Sequence, residues 1–246
     1  MSKHGLSLLL FGIITSIVNG PVTAHDDAPD APPMSARYRL DVTDDEGRAR
    51  QGPEWWLIRE PSRVVTAIPA LDQAEVWTRD ATTGDVTLER LFHAQRRVIE
   101  YTPGELRTRN AEPDWHALGS VLDPDSLKTL EAAGTGEWQG RAVTTYRGTV
   151  GGERIEVDWL LAERLPLRVD RSTRRSRSVL TLLALDPSTQ RAGEEVQRVT
   201  PLYIRLDAAD FGDMESDPFV QAVEALDGRN RRWVYGGGHA HAHTAH

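Results

Sequence analysis

The chain has 246 residues, with 29 bases against 37 acids, and no cysteine. That length fits one ordinary domain with short appendages, and the acidic balance argues against nucleic acid and against broad docking to anionic lipid. The missing cysteine excludes disulfides, thiolate metal sites, cysteine nucleophiles and a lipid-attachment cysteine.

Met1–His4 is cationic, Leu6–Val18 is apolar, and Asn19-Gly20-Pro21 leads into Val22-Thr23-Ala24. This is the build of a cleavable export signal, with small residues at the two positions a signal peptidase reads, so residues 1–24 are expected to be removed and the protein delivered to the periplasm. The apolar run is too short to cross a bilayer, and no later stretch reaches the roughly 20 residues that spanning needs. A protein that is not membrane-spanning is expected. Cleavage after Ala24 would make His25 the first residue. Residues 25–35 hold acids and prolines with little to bury, and read as a disordered leader.

The folded domain is expected over 36–228. Tyr38, Leu40 and Val42 alternate with Arg37, Arg39 and Asp41, the period-two pattern of a half-buried strand. Further strands are predicted at Trp55–Arg59, Arg63–Ile68, Ala74–Arg79, Val86–Phe92 and Arg97–Tyr101, with Thr83-Gly84-Asp85 as a hairpin turn. The pattern changes after Pro103. Trp115, Leu118 and Leu122 predict a short helix over Pro113–Val121, and Asp123-Pro124 caps a second one, with Leu127 and Leu130 on one face and Gly134 as its C-cap. Strands resume at Arg141–Thr149, Arg154–Leu161, Leu167–Ser172, Ser178–Leu185 and Leu202–Leu206, and Gly151-Gly152 makes a turn. Asp217-Pro218 then caps a last helix carrying Phe219, Val223 and Leu226, which Gly228 ends. Strands, a helical pair and strands again predict a mainly β (α+β) fold: a curved antiparallel sheet, or half-open barrel, with a short helical insert as lid and a C-terminal helix. A flat sandwich is the alternative, but it needs no helical insert at mid-chain.

The run Glu54-Trp55-Trp56-Leu57-Ile58-Arg59-Glu60-Pro61-Ser62-Arg63-Val64-Val65, followed by Ala74-Glu75-Val76-Trp77, resembles the early hairpins of the LolA/LolB-like lipoprotein-localisation superfamily. Tyr146, the Gly151-Gly152 turn, Ile155–Leu161 with Trp159, and Leu165-Pro166-Leu167-Arg168-Val169 are similar to the second half of that group. The resemblance covers about residues 36–186. It implies a half-open barrel with a helical lid over an apolar cavity, which relatives use to carry acyl chains or, in RseB-like regulators, to sense envelope stress. The acidic segment Asp207–Asp217 and the histidine-rich end depart from that pattern, so lipoprotein transport itself is not carried over.

Residues 229–246 read as a flexible tail in which His239, His241, His243 and His246 place four imidazoles within eight residues. Neutral imidazole is the commonest side-chain ligand for zinc, copper and nickel, so the tail is a candidate divalent-metal site; a merely solvated tail is the other reading. A free N-terminal His25 would add an amine and a ring nitrogen for one ion, unless its position is an accident of the cleavage site. His93 and His116 are isolated and read as structural or surface residues. Asp207, Asp210, Asp213, Glu215 and Asp217 lack the ligand spacing and central glycine of a calcium loop, and Arg168–Arg177 reads as a solvated strand face. No nucleophile elbow, zinc-protease helix or phosphate loop occurs, so catalysis is not expected and no cofactor is required. The leading expectation is a non-enzymatic periplasmic carrier for a lipid, acyl chain, lipoprotein or apolar segment, lined by Trp55, Trp77, Leu88, Phe92, Val157 and Trp159. These six side chains would otherwise fill a packed core. A periplasmic metal buffer and an envelope-stress regulator are the alternative functions.

Overall fold

Period-two burial in strands such as 34–43 and 153–160, and burial on both phases in those between 55 and 101, put a continuous apolar layer on one side of a single sheet. The computed structural model describes residues 31–190, 193 and 202–225. Within them lie β1 (Met34–Thr43), β2 (Ala49–Glu60), β3 (Arg63–Ile68), β4 (Gln73–Arg79), β5 (Val86–Phe92) and β6 (Arg97–Tyr101). After the insert come β7 (Glu131–Trp138), β8 (Arg141–Val150), β9 (Glu153–Leu160), β10 (Leu165–Ser172), β11 (Arg177–Asp186) and β12 (Ile204–Asp207). They form one curved, open sheet in the order β12-β6-β5-β4-β3-β2-β1-β11-β10-β9-β8-β7. Every pairing is antiparallel except β12 on β6, which is parallel. The expected curved antiparallel architecture is therefore present, with one parallel strand at its margin.

The insert between β6 and β7 runs from the second strand at one end of the sheet to the edge strand at the other. Helix α1 (Pro103–Thr108) starts at a capping box between Thr102 and Glu105, with proline in its first turn. Helix α2 (Trp115–Ser120) is capped by Asp114, whose carboxylate accepts from the backbone N–H groups of His116 and Ala117. A 3-10 turn (Pro124–Thr129) follows, capped by Asp123. Leu106, Leu118, Val121, Leu122 and Leu127 from this segment share one core with Ala36, Tyr38, Trp55, Trp77 and Val157 from the sheet. The insert is thus a roof over the inner face. Its last residue, Leu130, lies against Gly148, where a Cβ would meet Leu130 Cδ2 at 2.6 Å. Residues 218–225 form the described part of a third helix, α3, whose Val220 and Val223 join the same core.

Several boundaries differ from the expectations. The first strand begins at Met34, so residues 31–35 belong to the fold and not to the leader. Arg59 Nε donates to the Pro32 carbonyl at 3.0 Å, and Ser35 Oγ donates to the Ser188 carbonyl at 2.8 Å. Gly134 is not a helix cap. It lies inside β7, which is held by its ladder to β8, and the helix predicted after Asp123 is only the 3-10 turn. Helix α1 was not anticipated, and β12 is displaced to Ile204–Asp207 because its partner is β6 across the chain. The Gly228 end of the last helix lies outside the described residues.

Tyr38 ties the curve together. Fully buried on β1, it donates from Oη to the Pro166 carbonyl of β10 at 2.9 Å, reaching past β11. Burial lifts its phenol well above the ordinary range, against the pull of Arg59. Tyr38→Phe keeps the ring and leaves that carbonyl without its donor, so thermal unfolding is expected to show a loss of about 1–2 kcal/mol.

Candidate functional site

The roofed inner face gathers the residues with the most unusual environments. Trp55, Trp77, Leu88, Phe92, Val157 and Trp159, the six expected lining residues, all belong to its single buried cluster. Trp55 stacks on Tyr38 with ring centroids 5.1 Å apart, and Phe92 meets Phe219 edge-on at 5.1 Å. As the chain lies here, the roof side chains occupy the space over these residues.

Arg59 is the centre of the roof's attachment. It stands on the same face of β2 as Trp55 and Leu57 and is 4% exposed. Its Nε donates to Pro32 O at 3.0 Å, Nη1 to Gly119 O at 2.6 Å and Nη2 to Glu163 O at 2.6 Å. One guanidinium therefore links the incoming chain, helix α2 of the roof and the β9–β10 turn. Its stem also packs under α2, since a Cβ on Gly119 would sit 3.1 Å from Arg59 Cδ. Desolvation pushes the Arg59 pKa down to about 10. The carbonyls around it supply hydrogen bonds, and the nearby Glu163 carboxylate works against the shift. Helix α2 ends at Val121, a β-branched residue held at φ 66° and almost fully buried. That backbone conformation is costly for valine and persists only because the surrounding packing imposes it.

A second polar group crosses the inner face between apolar rows. Thr66 of β3 pairs with Glu75 of β4, and Glu75 pairs with Arg90 of β5. Arg90 Nε lies 3.3 Å from Glu75 Oε1, and Arg90 Nη1 lies 3.5 Å from Tyr101 Oη. Two buried polar atoms of this face, Thr66 Oγ1 and Trp55 Nε1, have no hydrogen-bond partner among the described residues. Arg59, Thr66, Glu75 and Arg90 were not anticipated. Each occupies the apolar phase of its strand, and that misplacement was the signal available.

The histidines divide differently. His25, His239, His241, His243 and His246 lie outside the described residues. His93 Nδ1 is 2.8 Å from Tyr203 Oη, and the His116 backbone N–H is taken by the α2 cap. No group of three or more His, Cys, Asp or Glu side chains among the described residues is arranged to hold a metal ion. Asp217 accepts from Arg97 Nη1 at 2.8 Å, which holds its carboxyl below the usual range, and Asp207 caps a 3-10 turn. On the outer face, Arg177 and Arg168 converge on Asp170 and hold its carboxyl low as well. A separate polar groove of about 470 Å³ lies at the β7–β8 end, lined by Thr129, Glu131, Arg147, Gly148, Thr149, Arg154 and Ile155.

No protein-family model matches the chain, and no curated protein matches it in sequence. Solved structures resemble part of the chain weakly. PNGF-II is 12% identical with a TM-score of 0.40 over 74% of this chain and 33% of its own, so the present chain spans about a third of that protein. MucB, in its complex with MucA(peri), is 11% identical with a TM-score of 0.32 over 65% of this chain and 52% of MucB. The LolA superfamily protein NE2245 from Nitrosomonas europaea is 8% identical with a TM-score of 0.29 over 67% of this chain and 90% of its own. The chain bears a weak structural resemblance to LolA-like and MucB-like proteins, in an open β-sheet with few helices. No helix among the described residues is long and apolar enough to cross a membrane.

Arg59→Met keeps the apolar stem and removes all three charge-assisted bonds. A loss on the order of 3 kcal/mol is expected from the stranded carbonyls. Hydrogen–deuterium exchange should accelerate most in residues 102–130; equal acceleration throughout the sheet would show that Arg59 does not fasten the roof.

Proposed function

We propose that this chain is an exported, non-enzymatic periplasmic binding protein that shelters an acyl chain or another apolar segment on the inner face when its roof lifts. The observation that carries this reading is the contrast between the two layers. The sheet is held by continuous backbone ladders, whereas the roof consists of three six-residue elements fastened largely by side-chain packing and by single side-chain bonds such as that from Arg59 to Gly119. Helices of that length are not stable alone, so the roof is the layer that opens at least cost while the sheet stays intact. The strained Val121 joint lowers that cost further. Lifting the roof exposes three tryptophans, Trp55, Trp77 and Trp159, with Leu88, Phe92 and Val157, an apolar wall of the kind that small-molecule sites present.

The test is uptake of N-phenyl-1-naphthylamine, followed by fluorescence and competed with decanoyl compounds. Wild-type protein is expected to take up the probe, and Trp159→Arg, which sets a cation in the wall, to lose at least most of it while circular dichroism reports an intact sheet. Wild-type protein that is folded and takes up no probe would sink the carrier reading.

A second reading concerns the tail, favoured by its four imidazoles in eight residues. His239, His241, His243 and His246, with His25 if cleavage frees it, capture zinc, copper or nickel independently of the domain. Ligands must be deprotonated, so affinity is expected to fall as pH drops through about 6.5. Truncation after Tyr235 should remove most of the uptake in calorimetric titration with little change in melting temperature. Equal stoichiometry and affinity in both forms would refute the tail as the site.

A further inference from the structure

Among the polar groups that interrupt the apolar inner face, Arg59 is fully engaged, whereas the group around Thr66 contains hydrogen-bonding capacity that the protein leaves unused. Thr66 stands between Val64 and Ile68 on the buried phase of β3 and is 3% exposed. Its hydroxyl has no partner among the described residues. Trp55 stands two residues before Leu57, the residue that pairs with Thr66. Its indole Nε1–H is likewise buried and without a partner. Buried polar groups are hydrogen-bonded in nearly all native proteins, so two unsatisfied donors on neighbouring strands of one face call for an explanation. Beside Thr66, the Glu75 carboxylate is met by the Arg90 guanidinium. The Glu75–Arg90 pair therefore balances its own charge, and the free capacity beside it is the Trp55 N–H donor and the Thr66 hydroxyl, which can donate.

We propose that Thr66 and Trp55 form the head-group subsite of the inner face, donating to a neutral carbonyl of an acylated guest, an ester or an amide, while its hydrocarbon chain lies against Trp77, Leu88 and Phe92. This rests on the carrier reading above. A carbonyl oxygen has two lone pairs and can accept from these donors without bringing charge into an apolar site. An ionised carboxylate would be buried there with both cations of that face already engaged, Arg90 by Glu75 and Arg59 by three backbone carbonyls, which makes it the poorer ligand. A plain hydrocarbon would leave both donors unsatisfied. The protein without guest bears the cost of the two idle groups, and the guest removes it.

Displacement of N-phenyl-1-naphthylamine by decanamide, methyl decanoate, decanoate and decane at pH 8 tests the assignment and separates the sources of the carbonyl. In wild type, the amide or the ester should displace the probe at a concentration at least about 5-fold lower than decane or decanoate, the discrimination that one net hydrogen bond provides. Thr66→Val and Trp55→Phe should each shrink that advantage without lowering the melting temperature in the case of Thr66→Val, and Thr66→Ser should retain it. Probe uptake with all four compounds equivalent, or an advantage unchanged in both Thr66→Val and Trp55→Phe, overturns the subsite and leaves the carrier reading standing. Preference for decanoate overturns the neutral head group. No probe uptake by the folded wild type overturns the carrier reading itself and the subsite with it.

Discussion

A guanidinium buried among apolar side chains has to find acceptors, and in this protein Arg59 finds three backbone carbonyls from three distant parts of the chain. Arginine suits the task because its planar fork presents donors in several fixed directions at once. The dependence is mutual. Pro32 O, Gly119 O and Glu163 O gain a donor without needing sheet partners, and the cation gains the bonds that make its burial tolerable. The position of α2 over the sheet, the path of the incoming chain and the approach of the β9–β10 turn toward β2 all meet at this group. Tyr38 adds a second tie across the same curve, from β1 to β10.

The outer face divides the sheet into two unlike halves. Over β2–β6, Ile58, Val65, Val76, Leu91 and Val98 are buried with Tyr203, so those strands are apolar on both sides. Over β8–β11 the outer face is a ladder of charges, in which Arg147 meets Glu156 and Arg168 and Arg177 meet Asp170. Exposed pairs of this sort contribute little to stability. Their effect is to keep much of that half of the outer face wet, while its main apolar layer is the inner one. The roof then has a single side to cover, and the aromatic residues of both halves converge beneath it.

How far the fold could be read from the sequence depended on burial. Strands with one covered face announced themselves, as in Tyr38, Leu40 and Val42 or in Ile155, Val157 and Trp159. Strand β7 did not, because Glu-Ala-Ala-Gly-Thr-Gly-Glu-Trp is exposed almost throughout and has no alternation to display; its strand state comes from the ladder to β8. Helix α1 buries only Leu106, so its signal was confined to the Thr102–Glu105 capping box. The six aromatic and aliphatic residues expected on the inner face were legible because apolar phase reports orientation. Arg59, Thr66, Glu75 and Arg90 interrupt that phase, and a polar residue in an apolar series does not disclose in sequence which carbonyl or charge will meet it.

The place of β1 in the strand order has a temporal consequence. The first strand of the domain lies at the middle of the sheet, with β2 on one side and β11 on the other, and Ser35 is paired with Asp186. The segments β2–β6 and β7–β11 are each successions of neighbouring hairpins that close over short loops. Joining them requires a contact between residues about 150 positions apart, the kind of long-range closure that slows folding. A chain emerging from its N-terminus therefore carries a strand with one edge unpaired until β11 has followed it. Through that interval the exposed edge of β1 is the most vulnerable surface of the nascent domain, and the order of emergence sets how long it stays open.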